Sequence, residues 1–214
     1  MRVLGKNEVP WPPRITGGLD VQSLIEPETP RLHLRQWRTE DYVSLAALNA
    51  DREVMRYFPR KLTKAESDAM ADQCAALIGK KGWGLWAVET KADSEFIGFV
   101  GLHEPTVALP FSPCVEIGWR LHRRAWGKGY ATEAARAAFQ VGFDTLALPE
   151  IVSFTALSNR RSRAVMERLG MVEDTLTFCH PSVPDDSPLR IHCLYRLSRK
   201  RWASFQASDA QRPR

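Results

Sequence analysis

The sequence lacks any apolar run long enough to cross a membrane, and its cysteines are few. The four cysteines of this 214-residue chain include no CxxC pair, and a chain of this length does not depend on disulfides for its stability. The opening stretch, residues 1–6, lacks the apolar segment of a signal peptide. These absences argue against a membrane-spanning protein and against a disulfide framework. We therefore expect a cytoplasmic protein with reduced thiols.

Two common phosphate-binding patterns are also absent. No GxxxxGK(S/T) motif occurs, and Gly127-Lys128-Gly129 is followed by Tyr130-Ala131-Thr132, which breaks the GxGxxG pattern. The net charge of +5 attracts anions in general, but neither a helix-turn-helix signal nor an interleaving of aromatic and basic residues accompanies it. The sequence therefore disfavours a Walker or Rossmann nucleotide site, and it disfavours nucleic acid as a partner.

The composition, 44% hydrophobic and 26% charged, is that of a globular chain with one domain. Prolines and glycines interrupt residues 1–28, so we expect an N-terminal arm there. The folded domain is predicted over residues 29–200. Residues 201–214 are rich in basic side chains, and we expect them to form a flexible tail.

Periodicity predicts a mixed order of strands and helices. Alternating apolar and polar residues indicate a first strand at 31–35, and a helix follows Thr39. Thr63 and Glu66 have the spacing of a capping box, which opens a second helix. Further strands are predicted at 84–89, 96–102, 115–121, 151–157, 176–179 and 191–197, with helices at 131–143 and 159–169. This order predicts a mixed α/β (α+β) fold rather than an alternating βαβ chain.

The stretch from residue 115 to 135 carries the strongest functional signal. A predicted strand runs into a loop with Gly127 and Gly129, and a helix follows at once. Glycines let backbone N–H groups crowd round one point, and the helix N-terminus adds unpaired donors and a partial positive charge. Arg123, Arg124 and Lys128 add full charges. The pattern fits an anion site suited to a diphosphate, although a tight turn that binds nothing has the same glycines.

A second segment, residues 158–171, follows a predicted buried strand. Asn159 lies at its strand-to-helix junction, where a side-chain amide either caps the helix or holds an amide group of a ligand. Gly170 is placed to end the helix. The residues alone leave both roles of Asn159 open.

These two segments in this order resemble the GNAT superfamily of N-acetyltransferases. The acetyl-CoA signature of the family is (Q/R)xxGx(G/A), and its best register here is 126–131, in which Trp126 replaces the usual Gln or Arg. The chain is similar to the RimJ/RimL-type branch in particular, over about residues 29–197. The stretches that carry this similarity are 30–35, 51–58, 116–119, 127–134, 159–171 and 194–197.

The resemblance implies a fold and a cosubstrate. In this family a mixed, mostly antiparallel twisted sheet is flanked by helices, its central strands splay apart to hold acetyl-CoA, and no metal is needed. Carried over to this chain, the strand groups that pair with pantetheine are Trp119, Arg120 and Leu121. Asn159 holds the pantetheine arm, and the ribose phosphate meets Arg124, Lys128 or Arg163. The diphosphate is expected on the backbone N–H groups of Trp126, Gly127, Lys128, Gly129, Tyr130, Ala131 and Thr132.

The implied reaction is direct attack of an amine on the thioester. The amine must lose a proton first, because a lysine-type amine is mostly protonated at neutral pH. Many relatives supply the proton for the leaving thiolate from a tyrosine, but Met166 stands at that position here. Ser162 is the candidate donor instead, and Glu116 is the candidate base, acting directly or through water. Each also has a structural interpretation, Ser162 as a first-turn helix residue and Glu116 as a strand carboxylate paired with an arginine.

The histidines are weaker candidates for the base. The pairs Cys179-His180 and His192-Cys193 have the residue types of a zinc site. Neighbouring residues of a strand point to opposite faces, however, so the members of each pair cannot easily converge on one ion. We therefore expect no metal, and we expect structural roles for His103, His180 and His192.

The sequence predicts an acetyl-CoA-dependent N-acetyltransferase whose acceptor is a primary amine, either a protein or peptide N-terminus or a small amine. The alternative is a non-catalytic protein that senses acyl-CoA, which the missing tyrosine permits. The expected partners are acetyl-CoA and an amine, with no membrane and no nucleic acid. The resemblance to the family also suggests a homodimer.

Overall fold

The computed structural model describes residues 24–210, which form a seven-stranded mixed sheet flanked by helices. The strands are β1 (Leu32–Arg35), β2 (Leu85–Thr90), β3 (Phe96–His103), β4 (Glu116–Leu121), β5 (Glu150–Ala156), β6 (Val172–Cys179) and β7 (Ile191–Ser198). The α-helices are α1 (Asp41–Ala50), α2 (Lys64–Lys81), α3 (Tyr130–Gln140), α4 (Arg160–Arg168) and α5 (Arg199–Ala210). Short 3-10 turns lie at Val54–Tyr57 and Arg123–Ala125, and a π-helical segment spans Val141–Thr145. The predicted fold class is confirmed.

The order of strands in the sheet is β1-β2-β3-β4-β5-β7-β6, and every neighbouring pair is antiparallel except β4 and β5. The parallel pair has a single register position, Glu116 beside Val152. The Val152 N–H donates to the Val115 carbonyl over 2.9 Å, and the Ser153 hydroxyl donates to the Ile117 carbonyl over 3.0 Å. Beyond these contacts the two strands separate, which confirms the predicted splay at the centre of the sheet.

Helices cover both faces of the sheet. On one face of β3, Phe99 contacts Trp37, with the ring centroids 6.1 Å apart. Leu102 lies three positions after Phe99 on β3, so its side chain points to the opposite face of the sheet. There it lies against Gly142, in the segment after α3. Among the helices described, none combines the length and the apolar character that a membrane span requires.

The second helix begins and ends where its sequence signals predict. Thr63 accepts a hydrogen bond from the Glu66 N–H, and the Glu66 carboxylate accepts one from the Thr63 N–H over 2.8 Å. Gly82 ends the helix in the left-handed region, with φ of 79°. The predicted capping box is confirmed, and of the two glycines that the sequence offers as a helix end, Gly79 and Gly82, the second ends the helix.

The N-terminal residues that the structure describes are attached to the domain. The Ile25 N–H donates to the Gly82 carbonyl over 2.9 Å, and the Trp86 indole N–H donates to the Ile25 carbonyl over 2.7 Å. The predicted arm of residues 1–28 therefore differs from the structure at its end, residues 24–28. Its first 23 residues lie outside the described residues.

The structure corrects the predicted flexible tail. Residues 201–210 belong to α5, and the indole of Trp202 is only 3% exposed. Its ring centroid lies 5.4 Å from that of Phe139 and 5.9 Å from that of Phe143. Burial of this aromatic side chain holds the basic helix against the domain, so the predicted boundary at residue 200 falls inside an element. Residues 211–214 lie outside the described part.

A second apolar cluster, which contains two histidines, lies beside β5, β6 and β7. The rings of Phe111 and Phe178 have centroids 5.0 Å apart, and Phe154 packs against both. The imidazoles of His180 and His192 lie 4.9 Å apart against the same phenyl rings. Burial lowers the pKa values of both histidines, so they are held as neutral aromatic groups in an apolar environment.

The two cysteines beside these histidines face different surroundings. Cys193 is 1% exposed, whereas Cys179 is exposed at the end of the edge strand. Within residues 24–210, no group of three or more His, Cys, Asp or Glu side chains has an arrangement that could hold a metal ion.

The buried His192 is expected to make stability depend on pH. Its pKa falls from 6.5 to about 4, first through burial and then through the nearby His180. The unfolded chain binds a proton that the folded chain excludes, so this contribution is complete above pH 6.5 and is lost as pH falls towards 4. The cost at pH 5 relative to pH 7 is about 2 kcal/mol in the free energy of unfolding.

Urea unfolding of His192→Gln at the two pH values checks this expectation. The loss of stability between pH 7 and pH 5 should be smaller in the variant by about 2 kcal/mol. Any packing defect of the variant contributes at both pH values and cancels in the difference. Equal losses in the two proteins would show that His192 is not the group that resists protonation.

Candidate active site

A cleft of about 1050 Å³ opens where β4 and β5 part. Its walls come from β4, the glycine loop, the first turns of α3 and α4, and the segment between α1 and α2. The structure brings most of the predicted site residues together here, namely Trp119, Arg120, Leu121, Trp126, Gly127, Gly129, Tyr130, Ala131, Thr132, Asn159 and Ser162. Residues that are far apart in the sequence therefore share one cavity.

The glycine loop at one end of the cleft presents backbone donors. Gly127 and Gly129 have φ values of 74° and 81°, a region that other residues rarely adopt. Gly129 is the N-cap of α3 and offers no side-chain acceptor, so N–H groups of the first turn have no partner in the described chain. A Cβ atom on Gly127 would meet nothing within 4 Å, which leaves open space beside the loop. The helix N-terminus and this space have the features that an anion site requires.

A half-buried carboxylate fixes the first turn of α3 in place. Glu133 accepts hydrogen bonds from the Thr29 hydroxyl over 2.6 Å and from the Arg31 backbone and side chain over 3.0 and 2.6 Å. Burial raises the pKa of Glu133, but these bonds outweigh it and hold the pKa below its ordinary value. The Arg31 guanidinium also lies 4.7 Å from the centroid of the Tyr130 ring. The strand β1 region thus orients the anion site.

Asn159 has the helix-capping role that its position suggested, and it also lines the cleft. Its carbonyl oxygen accepts from the Ser162 N–H over 3.3 Å, which confirms the helix cap. Its amide nitrogen donates to the Thr155 hydroxyl over 2.9 Å, and the side chain lines the cleft. Thr155 is a residue that the sequence analysis missed, although a threonine four residues before an asparagine cap in a buried strand is a recognisable signal.

Two of the predicted phosphate-binding cations are held away from the cleft by acidic residues. Arg163 bonds both oxygens of Glu173 over 3.0 Å, and it does not line the cleft. Arg124 pairs with Glu95 over 2.7 Å and lines only a smaller adjoining recess. Lys128 is exposed and also lies outside the lining.

Other arginines take the positions expected for those cations. Arg161 lines the cleft and lies 4.5 Å from the centroid of the Trp126 indole. Arg160 and Arg168, also on α4, line the same wall. On this wall of the cleft the positive charge therefore comes from the helix that Asn159 caps, while Arg123 and Arg124 line the adjoining recess together with Arg161.

Glu116 borders the closed end of the split, although it is not part of the cleft lining. Its side chain is 13% exposed, and its Oε2 lies 2.9 Å from Nε2 of His103, directly across the β3–β4 ladder. The structural interpretation with an arginine partner is therefore wrong. Burial lowers the pKa of His103, but the hydrogen bond and charge of Glu116, with Glu104, outweigh it and raise the pKa above its ordinary value.

Within residues 24–210, the edge of β4 that faces β5 has no strand partner beyond Ile117. The carbonyl of Leu121, at the end of the strand, accepts from the Trp126 indole N–H over 2.8 Å. This bond fixes the glycine loop relative to β4. Trp119 lines the cleft and packs partly against the main core.

Comparison with known proteins agrees with this geometry. The acetyltransferase (GNAT) domain family matches residues 31–172. The FsC-acetyl coenzyme A-N(2)-transacetylase of Aspergillus fumigatus is 30% identical over 195 residues, covering 87% of this chain and 81% of that protein. A putative ribosomal N-acetyltransferase of Bacillus subtilis, YdaF, is 32% identical over 82 residues, or 38% of this chain and 43% of that protein. A GNAT-family acetyltransferase structure from Bacillus anthracis superposes with a TM-score of 0.69 at 22% identity, covering 82% of this chain and 99% of that one. The chain belongs to the GNAT family of acetyltransferases.

Proposed function

We propose that this acetyltransferase takes its acetyl group from acetyl-CoA and transfers it to a primary amine. The observation that supports the proposal is one continuous cleft with an anion site at one end and the unpaired edge of β4 along its wall. The name of the Aspergillus relative contains both acetyl coenzyme A and a nitrogen position, N(2). The RimJ/RimL-like stretches of the sequence and the partial match to a putative ribosomal enzyme add a protein N-terminus to the candidate acceptors.

The residues present fit acetyl-CoA. The first-turn N–H groups of α3 and the open space beside Gly127 suit a diphosphate, which prefers oriented backbone donors at a helix N-terminus. The free edge of β4, residues 119–121, offers backbone groups to the amides of the pantetheine arm. Asn159 holds the opposite wall in position through Thr155. Bound acetyl-CoA supplies the thioester that the amine attacks.

Two residues of the chain transfer protons in this proposal. The carboxylate of Glu116, held by His103, accepts a proton from the incoming ammonium, directly or through one water. The Ser162 hydroxyl, in the first turn of α4, donates a proton to the departing sulfur. The nitrogen gains the acetyl group as the carbon–sulfur bond breaks, and its second excess proton returns to the Ser162 oxygen, so the products are an amide and free CoA.

Acetyl-CoA binding is expected to depend on the glycine loop. In Gly127→Ala the new Cβ enters the open space and strains a residue whose φ is 74°. Loss of one or two charge-assisted hydrogen bonds predicts an increase in the dissociation constant of roughly 10- to 100-fold, measured by calorimetry. The cost to folding should be about 1 kcal/mol.

A matched substitution at Gly79 provides the control. This glycine lies inside α2, has an ordinary helical backbone and has open space around its Cβ position. Gly79→Ala should leave acetyl-CoA binding unchanged and stabilise the protein slightly, since alanine favours a helix. Wild-type affinity in Gly127→Ala would remove the diphosphate from this loop.

The reaction itself is tested by mixing the protein with acetyl-CoA and a panel of amines and peptides and following the release of free thiol. Thiol release that requires one class of amine supports the proposal. The buried Met166, 1% exposed where many relatives have a tyrosine, favours a second candidate, an acyl-CoA sensor. Tight acetyl-CoA binding without thiol release for any amine would support the sensor instead.

A further inference from the structure

One arginine in the cleft wall has an unusual set of partners. The guanidinium of Arg120 on β4 donates from Nη1 to the Asn49 carbonyl oxygen over 2.6 Å. Its Cζ lies 4.0 Å from the centroid of the Phe58 ring and 5.3 Å from that of Phe99. The group is thus held between two aromatic rings, with one amide to fix its orientation.

The same guanidinium has no acidic partner. No carboxylate among the described residues lies within the 4.0 Å of an ion pair, and Nε is buried without any hydrogen-bond acceptor. Nη2 has no acceptor in the described chain either. Burial lowers the pKa of Arg120 to about 10. A cation removed from water normally has a carboxylate or several acceptors, as the buried Arg35 does with Asp41 and Glu89.

The unpaired groups of Arg120 share one edge of the guanidinium. Nε and Nη2 are the two donors that meet a carboxylate side-on, and Asn49 occupies neither of them. Phe58 lies over the face of the group and is 37% exposed, at the end of a 3-10 turn. Nε is buried, so a contact at both Nε and Nη2 requires a neighbouring side chain to shift.

The position of Arg120 favours the acceptor over the cosubstrate. Its neighbours Phe58 and Asn49 belong to the α1–α2 side of the cleft, across from the glycine loop and α4. Phosphate groups of the cosubstrate already have the helix N-terminus and the arginines of α4. Glu53, an acidic residue of the lining, has Arg56 3.7 Å away, so this wall is net positive.

We propose that Arg120 binds a carboxylate carried by the acceptor, so that the preferred substrates are amines that also bear a carboxylate. The inference rests on the proposed function and adds the chemical class of the acceptor. The carboxylate belongs either to a small amino acid or to an acidic side chain next to a peptide N-terminus, and both present the same group to Arg120.

Matched acceptors test the proposal. The first set pairs ω-amino acids, from glycine to 6-aminohexanoate, with their carboxamides, and the second pairs the peptide amides Ala-Asp and Ala-Asn. We expect the wild-type kcat/KM to favour the carboxylate member of at least one pair by about tenfold or more. In Arg120→Gln that ratio should fall to within about threefold of one, and Arg120→Lys should be intermediate because it keeps the charge and loses the fork.

Two further measurements separate this role from a structural one. The dissociation constant of acetyl-CoA should change by less than about threefold in Arg120→Gln, because the cosubstrate is expected to use only the backbone of this residue. Arg52→Gln removes an exposed arginine from the same region outside the cleft lining and should leave the carboxylate preference intact. Thermal unfolding verifies that each variant is folded.

Each outcome has a defined meaning. Equal rates for carboxylates and carboxamides in every pair, or loss of acetyl-CoA binding in Arg120→Gln, would overturn the proposal. If no amine is acetylated, the proposed function fails, and the same pairs are then titrated by calorimetry into protein saturated with free CoA. Carboxylate binding that disappears in Arg120→Gln would still support a carboxylate site at Arg120. If the wild-type protein binds no carboxylate, that site is refuted.

Discussion

Replacing Arg35 with methionine is expected to lower the free energy of unfolding by about 3–5 kcal/mol. Arg35 lies at the end of β1 with a side chain only 8% exposed. Nη1 and Nη2 each donate to one oxygen of Asp41 over 2.8 Å, and Nε donates to Glu89 over 2.8 Å. Methionine fills much of the volume but leaves the buried Asp41 without a cation and Glu89 with only the exposed Arg38, and the uncompensated charge of Asp41 is the main cost.

The neighbouring Arg38 provides the control for this expectation. Its side chain is 58% exposed and contacts the same Glu89 over 3.1 Å. Because water screens an exposed pair, Arg38→Met should cost less than about 1 kcal/mol. Urea unfolding curves of both variants measure the two values. A loss below about 1 kcal/mol in Arg35→Met would show that the buried carboxylates take up protons or water without penalty.

This network shows what a single sequence cannot predict. Asp41 stands in the first turn of α1, where its sequence position suggests an interaction with the helix dipole. The structure gives it a bidentate arginine and 2% exposure instead. The third member, Glu89, is 54 residues from Arg35 and meets it only because β1 pairs with β2. Composition and periodicity carry no signal for such a contact.

Signals that act within a few residues predict well. The capping box of α2, the helix ends at Gly82 and Gly170, and the loop between β4 and α3 all depend on neighbouring backbone groups. The backbone geometry of the glycine loop was therefore predictable without knowledge of the sheet. The splay of β4 and β5 followed from the family resemblance, since no residue pattern by itself states where two parallel strands separate.

Side-chain roles were harder to predict because they depend on register. Arg124 and Arg163 have the right charge near the glycine loop and the Asn159 helix, yet Glu95 and Glu173 hold them elsewhere. Arg120 was predicted for its backbone, whereas its guanidinium also lines the cleft. In each case the deciding partner comes from another strand or helix.

Replacing Glu116 with glutamine is expected to lower kcat by roughly 10²- to 10⁴-fold, the range for loss of a general base. Glutamine keeps the shape of the side chain and can still bond His103, but it cannot accept a proton from the amine. The pKa of His103 is raised above its ordinary value by Glu116, so the wild-type rate should decline as pH falls through a value above 6.5. That step should move to lower pH or disappear in the variant, because burial then lowers the pKa of His103 and only the charge of Glu104 opposes it.

Steady-state thiol release over a range of pH, with acetyl-CoA affinity measured separately, distinguishes a base from a structural carboxylate. Glu116→Asp keeps the proton acceptor and should recover part of kcat, whereas a residue that only holds β3 against β4 should behave alike in both variants. His103→Gln keeps the carboxylate and should lose less activity than Glu116→Gln. Its acetyl-CoA dissociation constant should change less than that of Gly127→Ala. A wild-type kcat in Glu116→Gln would show that solvent, and not Glu116, deprotonates the amine. The pair of Glu116 and His103 would then only stabilise the contact between β3 and β4.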